Sequence, residues 1–262
     1  MSVATELEGP TELEGYRALV TGAASGIGEA IAREFAAHGA HVIVADLTGD
    51  AAARVADDIG GEAWAVDLTD TEALADPSVN ARPLDVDILV NNAGIQHVSP
   101  IEDFDPRQFH TILTLMVEAP FLLVRAALPG MYSRGFGRVI NVSSVHGLRA
   151  SAFKSAYVTA KHALEGLSKT IALEGAEHGV TSNCINPGYV NTPLVQKQLA
   201  DQARVHEISE SEVVEKVLLE HNPIKRMVEP ADVASLALWL AGPHAGMVTG
   251  ASYTIDGGWS AQ

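Results

Sequence analysis

Thr21-Gly22-Ala23-Ala24-Ser25-Gly26-Ile27-Gly28 follows the apolar run Ala18-Leu19-Val20 and opens a stretch, 29–38, whose apolar residues recur at helical spacing. A strand, a glycine-rich turn and a helix in that order begin a parallel α/β sheet. Glycines let the backbone turn sharply and approach a pyrophosphate, while the helix start offers unpaired N–H groups to negative charge. The spacing is G-x-x-x-G-x-G, not the commoner G-x-G-x-x-G, so the turn needs support from its surroundings. Asp46 supplies it. It ends the next strand, 18 positions after Gly28, where a carboxylate accepts bonds from the adenosine ribose hydroxyls. A carboxylate there repels a 2′-phosphate, and no Arg or Lys stands in 21–28 or at Leu47 or Thr48 to welcome one. The expected cofactor is therefore NAD, not NADP.

Outward from this turn, short β-branched runs alternate with helical patterns. Strands are expected at 18–20, 41–45, 63–66, 86–90, 138–142, 180–185 and 253–255. Helical spacing fills 29–38, 51–59, 71–75, 106–132, 155–178, 194–219 and 231–241. Such alternation predicts a doubly wound α/β sheet of parallel strands with helices on both faces, and ligands bind beyond the carboxyl ends of those strands. Gly22, Asp46, Asp67, Asn91, Ser144 and Pro187 all fall there. Residues 1–14 nearly repeat themselves, are acidic, and read as a flexible arm; 15–262 read as one domain. The charged, helical stretch 194–222 reads as a small helical lid over the substrate.

Composition narrows the function. The chain has 262 residues, 47% hydrophobic and 19% charged, with 23 glycines, which excludes disordered and collagen-like classes. Its net charge of −16 would repel a phosphate backbone, so no nucleic-acid partner is expected. Neither a signal peptide nor an uninterrupted apolar run of spanning length is read, so no membrane partner is expected. The one cysteine, Cys184, precludes an intramolecular disulfide and suits a reducing compartment, hence an expected cytoplasmic location. No metal ligand set is expected.

Tyr157 and Lys161 are four apart on one helix and share a face. Ser144 follows the strand just upstream, which brings its hydroxyl to the same sheet edge. Taking a hydride from a secondary alcohol requires a group that also takes the hydroxyl proton. Tyrosine, ordinarily a poor base near pKa ~10, becomes a better one beside an ammonium and a cationic nicotinamide. Lys161 can supply that ammonium, and Ser144 can hold the substrate oxygen against Tyr157.

With these motifs in place, the chain resembles the short-chain dehydrogenase/reductase family over 17–259. The resemblance is carried by Thr21-Gly22 through Gly28, Asp67-Leu68, Asn91-Asn92-Ala93-Gly94, Ser144, Tyr157 with Lys161, and Asn186-Pro187-Gly188. It implies a Rossmann-type sheet of about seven strands, a nicotinamide cofactor and a homotetramer. It implies Tyr157 as base, Lys161 as the group that lowers its pKa and holds the nicotinamide ribose, and Ser144 as the group that orients substrate. Cofactor contacts are implied at Gly22, Ser25, Gly26, Ile27 and Gly28 in the turn, and at Asp46, Asp67 and Leu68 for the adenosine. Asn91, Ala93 and Gly94, then Pro187, Gly188, Val190 and Thr192, complete the set.

Within that family, Gly94-Ile95-Gln96-His97, Ser144-Val145-His146-Gly147-Leu148, Lys154, 192–198 and Asp256-Gly257-Gly258-Trp259 are similar to the NAD-dependent D-3-hydroxybutyrate dehydrogenases. This implies a substrate carboxylate bound by Gln96, His146, Lys154 and Gln198, with Tyr189 and Trp259 beside it. Other small alcohols, sugars or 3-hydroxy acids, or a non-catalytic NAD-binding protein, are the alternatives. The chain departs from the pattern at Tyr189, where the narrower group has Trp. It departs again at Met116, 22 positions after Gly94, where the family has an Asn that helps hold a water beside the lysine. Met has almost no hydrogen-bonding capacity. The 67–87 stretch is also short.

Overall fold

The seven expected strands all form, and each but the last leads into a helix. In a computed structural model, the described residues are 12–76, 78, 83–193, 195–196, 203, 208–220 and 222–261. The strands are β1 (Arg17–Thr21), β2 (His41–Asp46), β3 (Glu62–Ala65), β4 (Ile88–Asn91), β5 (Gly137–Val142), β6 (Val180–Pro187) and β7 (Ser252–Ile255). They form one parallel sheet in the order β3-β2-β1-β4-β5-β6-β7. The helices are α1 (Gly26–Ala37), α2 (Gly49–Ile59), α3 (Thr71–Ala75), α4 (Pro106–Leu113), α5 (Ala119–Arg134), α6 (Ser155–Gly175), α7 (Glu210–Val213) and α8 (Pro230–Ala241).

Successive side chains on a strand point to opposite faces, and both faces here are apolar. Ala18, Val20, Val44, Ile88 and Ile140 pack with Ile31 and Phe35 of α1, Val55 of α2 and Val233 of α8. Leu19, Ile43, Leu89 and Val139 pack on the other face with Leu74 of α3, Leu123 and Met131 of α5 and Ile171 of α6. The stretch Pro106–Arg134 is long and apolar enough to cross a membrane, but its α5 part lies on this sheet as a core helix.

The chain runs from β1 outward to β3 and then returns to β4 on the other side of β1. That reversal opens a crevice beyond the carboxyl ends of β1 and β4. Thr21 locks the crevice: its Oγ1 donates to the Val90 carbonyl at 3.2 Å and accepts from the Asn92 and Ala93 amides at 3.0 and 3.1 Å.

Three details differ from the sequence reading. Leu13 is fully buried against α1 and its amide bonds the His38 carbonyl, so part of the stretch read as an arm belongs to the fold. The long helix expected over 106–132 is interrupted by a π-helical turn at Thr114–Glu118. In the stretch read as a lid, α7 continues into a second π-helical turn, Val214–Leu218, and Val213, Leu218 and Leu219 pack with Tyr189 and Val195. Residues 1–11 and Gln198 lie outside the described residues.

Candidate active site

The glycine turn is built as its residues require. Gly22 and Gly26 have φ of +62° and +61°, the left-handed region that L side chains rarely adopt. A Cβ on Gly28 would lie 2.3 Å from the Gly22 carbonyl oxygen and 2.5 Å from Asn92 Nδ2, so only glycine fits. Ser25 precedes α1 with an extended backbone and makes no side-chain cap bond, leaving the amides of the first turn open to an anion. Ile27 lines the neighbouring cavity. This cradle fits a dinucleotide pyrophosphate.

Asp46 closes the turn from β2. Its carboxylate accepts from the Ala24 amide at 3.1 Å and the Thr48 amide at 3.0 Å, which fixes its aim and leaves further lone pairs. Asp67 is exposed, and hydrogen bonds from the Thr69 hydroxyl and amide hold its carboxyl below the usual range; Leu68 beside it is buried. From β4, Asn91 donates to Asn141 Oδ1 at 2.9 Å, while its own Oδ1 is buried without a protein partner. Ala93 is held by Thr21, and Gly94 sits 3.4 Å from the methyl of Met116, measured from an added Cβ. The end of β6 forms the far wall: Gly188 bonds the Ile255 carbonyl, Val190 is buried, and Thr192 meets the turn at Gly26.

Between these walls lies a cavity of about 110 Å³. Ser144, Tyr157, Pro187, Tyr189 and Val195 all line it. Lys154 is the one lysine, arginine or carboxylate among the described residues lining it. Its Nζ donates to the Tyr189 hydroxyl at 3.2 Å. Gln96 also lines the cavity, and its Nε2 is buried with no protein partner, a donor left for a ligand. Trp259 lies near-parallel to Tyr189, ring centroids 6.4 Å apart, and edge-on to His146 at 5.3 Å. The Asp256 carboxylate holds it there by accepting from the Gly258 and Ser260 amides.

Burial dominates the electrostatics. It pushes the Tyr157 phenol up to about 12, against the expectation that Lys161 lowers it; the Ser144 hydroxyl opposes the rise as a hydrogen-bond donor. It draws the Lys161 ammonium down to about 8, with Cys184 and Glu165 opposing. Lys161 Nζ donates to the Val142 carbonyl at 2.6 Å and lies 5.5 Å from the Tyr157 ring centre. Burial and then Lys154 lower His146 to about 3, so its imidazole is neutral. Its Nε2 is 2.9 Å from Ser151 Oγ and its Nδ1 3.4 Å from Ser144 Oγ. The charged group facing the cavity is thus Lys154, with His146 a neutral partner.

Of the residues named from sequence, only Gln198 lies outside the described set; the others gather at the carboxyl edge of the sheet. Two residues that sequence reading left without a role stand directly beneath. Glu165 is 5% exposed and Asn186 fully buried, and they bond each other. The signal for Glu165 was legible: positions 157, 161 and 165 form one helical stripe.

Comparison with known proteins agrees with this fold. A family model described as enoyl-(acyl carrier protein) reductase matches residues 22–260. The chain is 46% identical over 254 residues to a D-beta-hydroxybutyrate dehydrogenase of Rhizobium meliloti (strain 1021), covering 94% of this chain and 98% of that one. A solved short chain dehydrogenase/reductase family protein superposes with a TM-score of 0.85 at 36% identity, covering 96% of this chain and all of the other. A putative 2-deoxy-d-gluconate 3-dehydrogenase from Agrobacterium tumefaciens, solved with bound NADP, gives a TM-score of 0.83 at 33% identity over 97% of this chain and 99% of its own.

Proposed function

Since this chain belongs to the short-chain dehydrogenase/reductase family, and is an oxidoreductase that takes a nicotinamide cofactor, we propose that it oxidises D-3-hydroxybutyrate to acetoacetate with NAD, reversibly. The observation that carries this reading is the place of Lys154: one ammonium among the described residues that line the small cavity also lined by Ser144 and Tyr157. A short acid with a secondary hydroxyl matches both groups.

In oxidation, the substrate hydroxyl lies between Ser144 Oγ and the Tyr157 phenolate. Tyr157 takes its proton as the C–H bond breaks and the carbonyl forms. The nicotinamide, when bound, supplies the hydride acceptor. Lys161 stabilises the phenolate by its charge, and in the reverse direction Tyr157 returns the proton to the forming alkoxide. Lys154, Gln96 and the neutral His146 hold the carboxylate away from the reacting carbon.

Asp46 supports NAD over NADP because its carboxylate, fixed by two amides, would face a 2′-phosphate. Efficiency with NAD should exceed that with NADP by at least about tenfold, or about 1.4 kcal/mol; parity in steady-state assays would refute this role of Asp46. The reading extends to a homotetramer. The exposed side chains Leu173, Trp239 and Met247 offer apolar surface for such contacts, and light scattering is the check. A second reading, a hydroxylated substrate such as a sugar acid, draws support from the Tyr189 hydroxyl on the cavity wall.

Lys154→Ala tests the substrate assignment. Removing one partner of a buried charged contact costs roughly 2–5 kcal/mol. The efficiency with 3-hydroxybutyrate should fall accordingly, while that with a neutral alcohol of similar size changes much less. Equal losses on both would make Lys154 structural and remove the main support for a hydroxy acid.

A further inference from the structure

The Tyr157 base and the Ser144 hydroxyl come from different elements, one from the body of α6 and the other from the turn after β5, so something must fix one against the other. One tie is the Lys161 bond to the Val142 carbonyl. A second lies deeper. Glu165, one turn beyond Lys161, spends both carboxylate oxygens inside the protein: Oε1 accepts from Asn186 Nδ2 at 2.5 Å and Oε2 from the Ser252 hydroxyl at 2.6 Å. The same Asn186 amide donates to the Ser144 carbonyl oxygen at 2.9 Å. The turn closes tightly on this group, since a Cβ on Gly147 would lie 2.5 Å from Ser143 Oγ and 3.0 Å from Glu165 Oε1. Ser144 is held extended at φ −170°, its Oγ accepting from the His146 amide.

We propose that Glu165 is a positioning residue for the reaction: acting through Asn186, it fixes the Ser144 turn against the helix that carries Tyr157 and so aims the Ser144 hydroxyl at the reacting oxygen. A buried carboxylate must be fully hydrogen-bonded to be tolerated, and charge-assisted bonds of this length are stiff, which suits it to hold geometry. The inference rests on the reading of Ser144 as the group that binds the substrate oxygen.

A double-mutant cycle separates the two. Ser144→Ala alone tests the reading, and it should lower kcat with whichever alcohol the enzyme turns over fastest. Glu165→Leu should lower kcat by about tenfold and leave the cofactor Kd within about twofold. Glu165→Gln should restore most of that rate, because Gln can still accept from Asn186 and can donate to Ser252. If Glu165 acts by aiming the Ser144 hydroxyl, Glu165→Leu in the Ser144→Ala background should cost less than about twofold more. Should Glu165→Leu fail to fold, Ser252→Ala, which removes one of the two ties, takes its place in the cycle, with the same expected lack of additivity. A full loss repeated in the Ser144→Ala background would assign Glu165 to packing and overturn the proposal. So would an unchanged kcat, or a Gln variant as impaired as the Leu one.

Discussion

At the scale of residues, the site turns on two proton holders, and burial favours the neutral form of each. Lys161 is drawn down to about 8 and Tyr157 pushed up to about 12, so the first proton to leave on raising the pH belongs to the pair rather than to either group. Below that point both protons are present, and the site can give one but not take one. Alcohol oxidation should therefore rise with pH through an ionisation at or below about 8, the bound cofactor's charge shifting it further down, and ketone reduction should fall through the same ionisation. Profiles of kcat/KM in both directions check this; parallel profiles would contradict it. Tyr157→Phe should cost at least about a hundredfold in rate, about 2.7 kcal/mol of barrier. His146 makes a stability prediction. Unfolded, its imidazole protonates near 6.5; folded, near 3. Between those values the unfolded chain binds more protons, so stability falls as pH falls, by up to about 1.4 kcal/mol per pH unit. Urea midpoints for His146→Gln should show a shallower acid slope than wild type, and an unchanged slope would contradict the assignment. Most residues at this scale were legible because their chemistry demands their type: glycine at +φ, a base beside a cation. The neutral state of His146 was not, because it depends on burial set by Tyr157 and Trp259, which arrive from distant positions.

At the scale of elements, the departure at Met116 becomes intelligible. It sits 1% exposed within the π-helical turn Thr114–Glu118, packed with Ile112, Ala156 and Ala160 beside Tyr157. Such turns are frequent at functional sites and are not announced by apolar periodicity, which is why 106–132 reads as one helix. An amide placed in this apolar cluster would lack partners, a cost of about 1–3 kcal/mol. Met116→Asn should accordingly lower the melting temperature while changing the rate with 3-hydroxybutyrate by less than about tenfold, since Tyr157, Lys161 and Ser144 are untouched. A wild-type protein that is inactive and gains activity in Met116→Asn would instead favour the non-catalytic reading. Strands were easier to place than helix ends, because buried parallel strands are plain apolar runs. The burial of Leu13 in the core was hidden because a single leucine in an acidic stretch carries no periodic signal.

At the scale of the whole molecule, the alternation of runs predicted the doubly wound sheet, and the strand order adds what sequence alone cannot express: the reversal between β3 and β4 that opens the crevice. The described candidate site residues gather on that one edge of a strongly acidic protein, and within the cavity the lysine faces a molecule of −16 net charge. On the proposed function, selection of a small anion against that background comes from Lys154 and its neighbours, not from the overall field. The measurement that meets the central claim most directly is the initial rate of NAD reduction with D-3-hydroxybutyrate set beside its neutral analogue 3-hydroxybutyramide, each also run with NADP. The account predicts turnover of the acid with NAD at an efficiency at least about thirtyfold above that of the amide, the lower end of what losing a buried charged contact costs. Equal efficiency on acid and amide, or turnover confined to NADP, would contradict it.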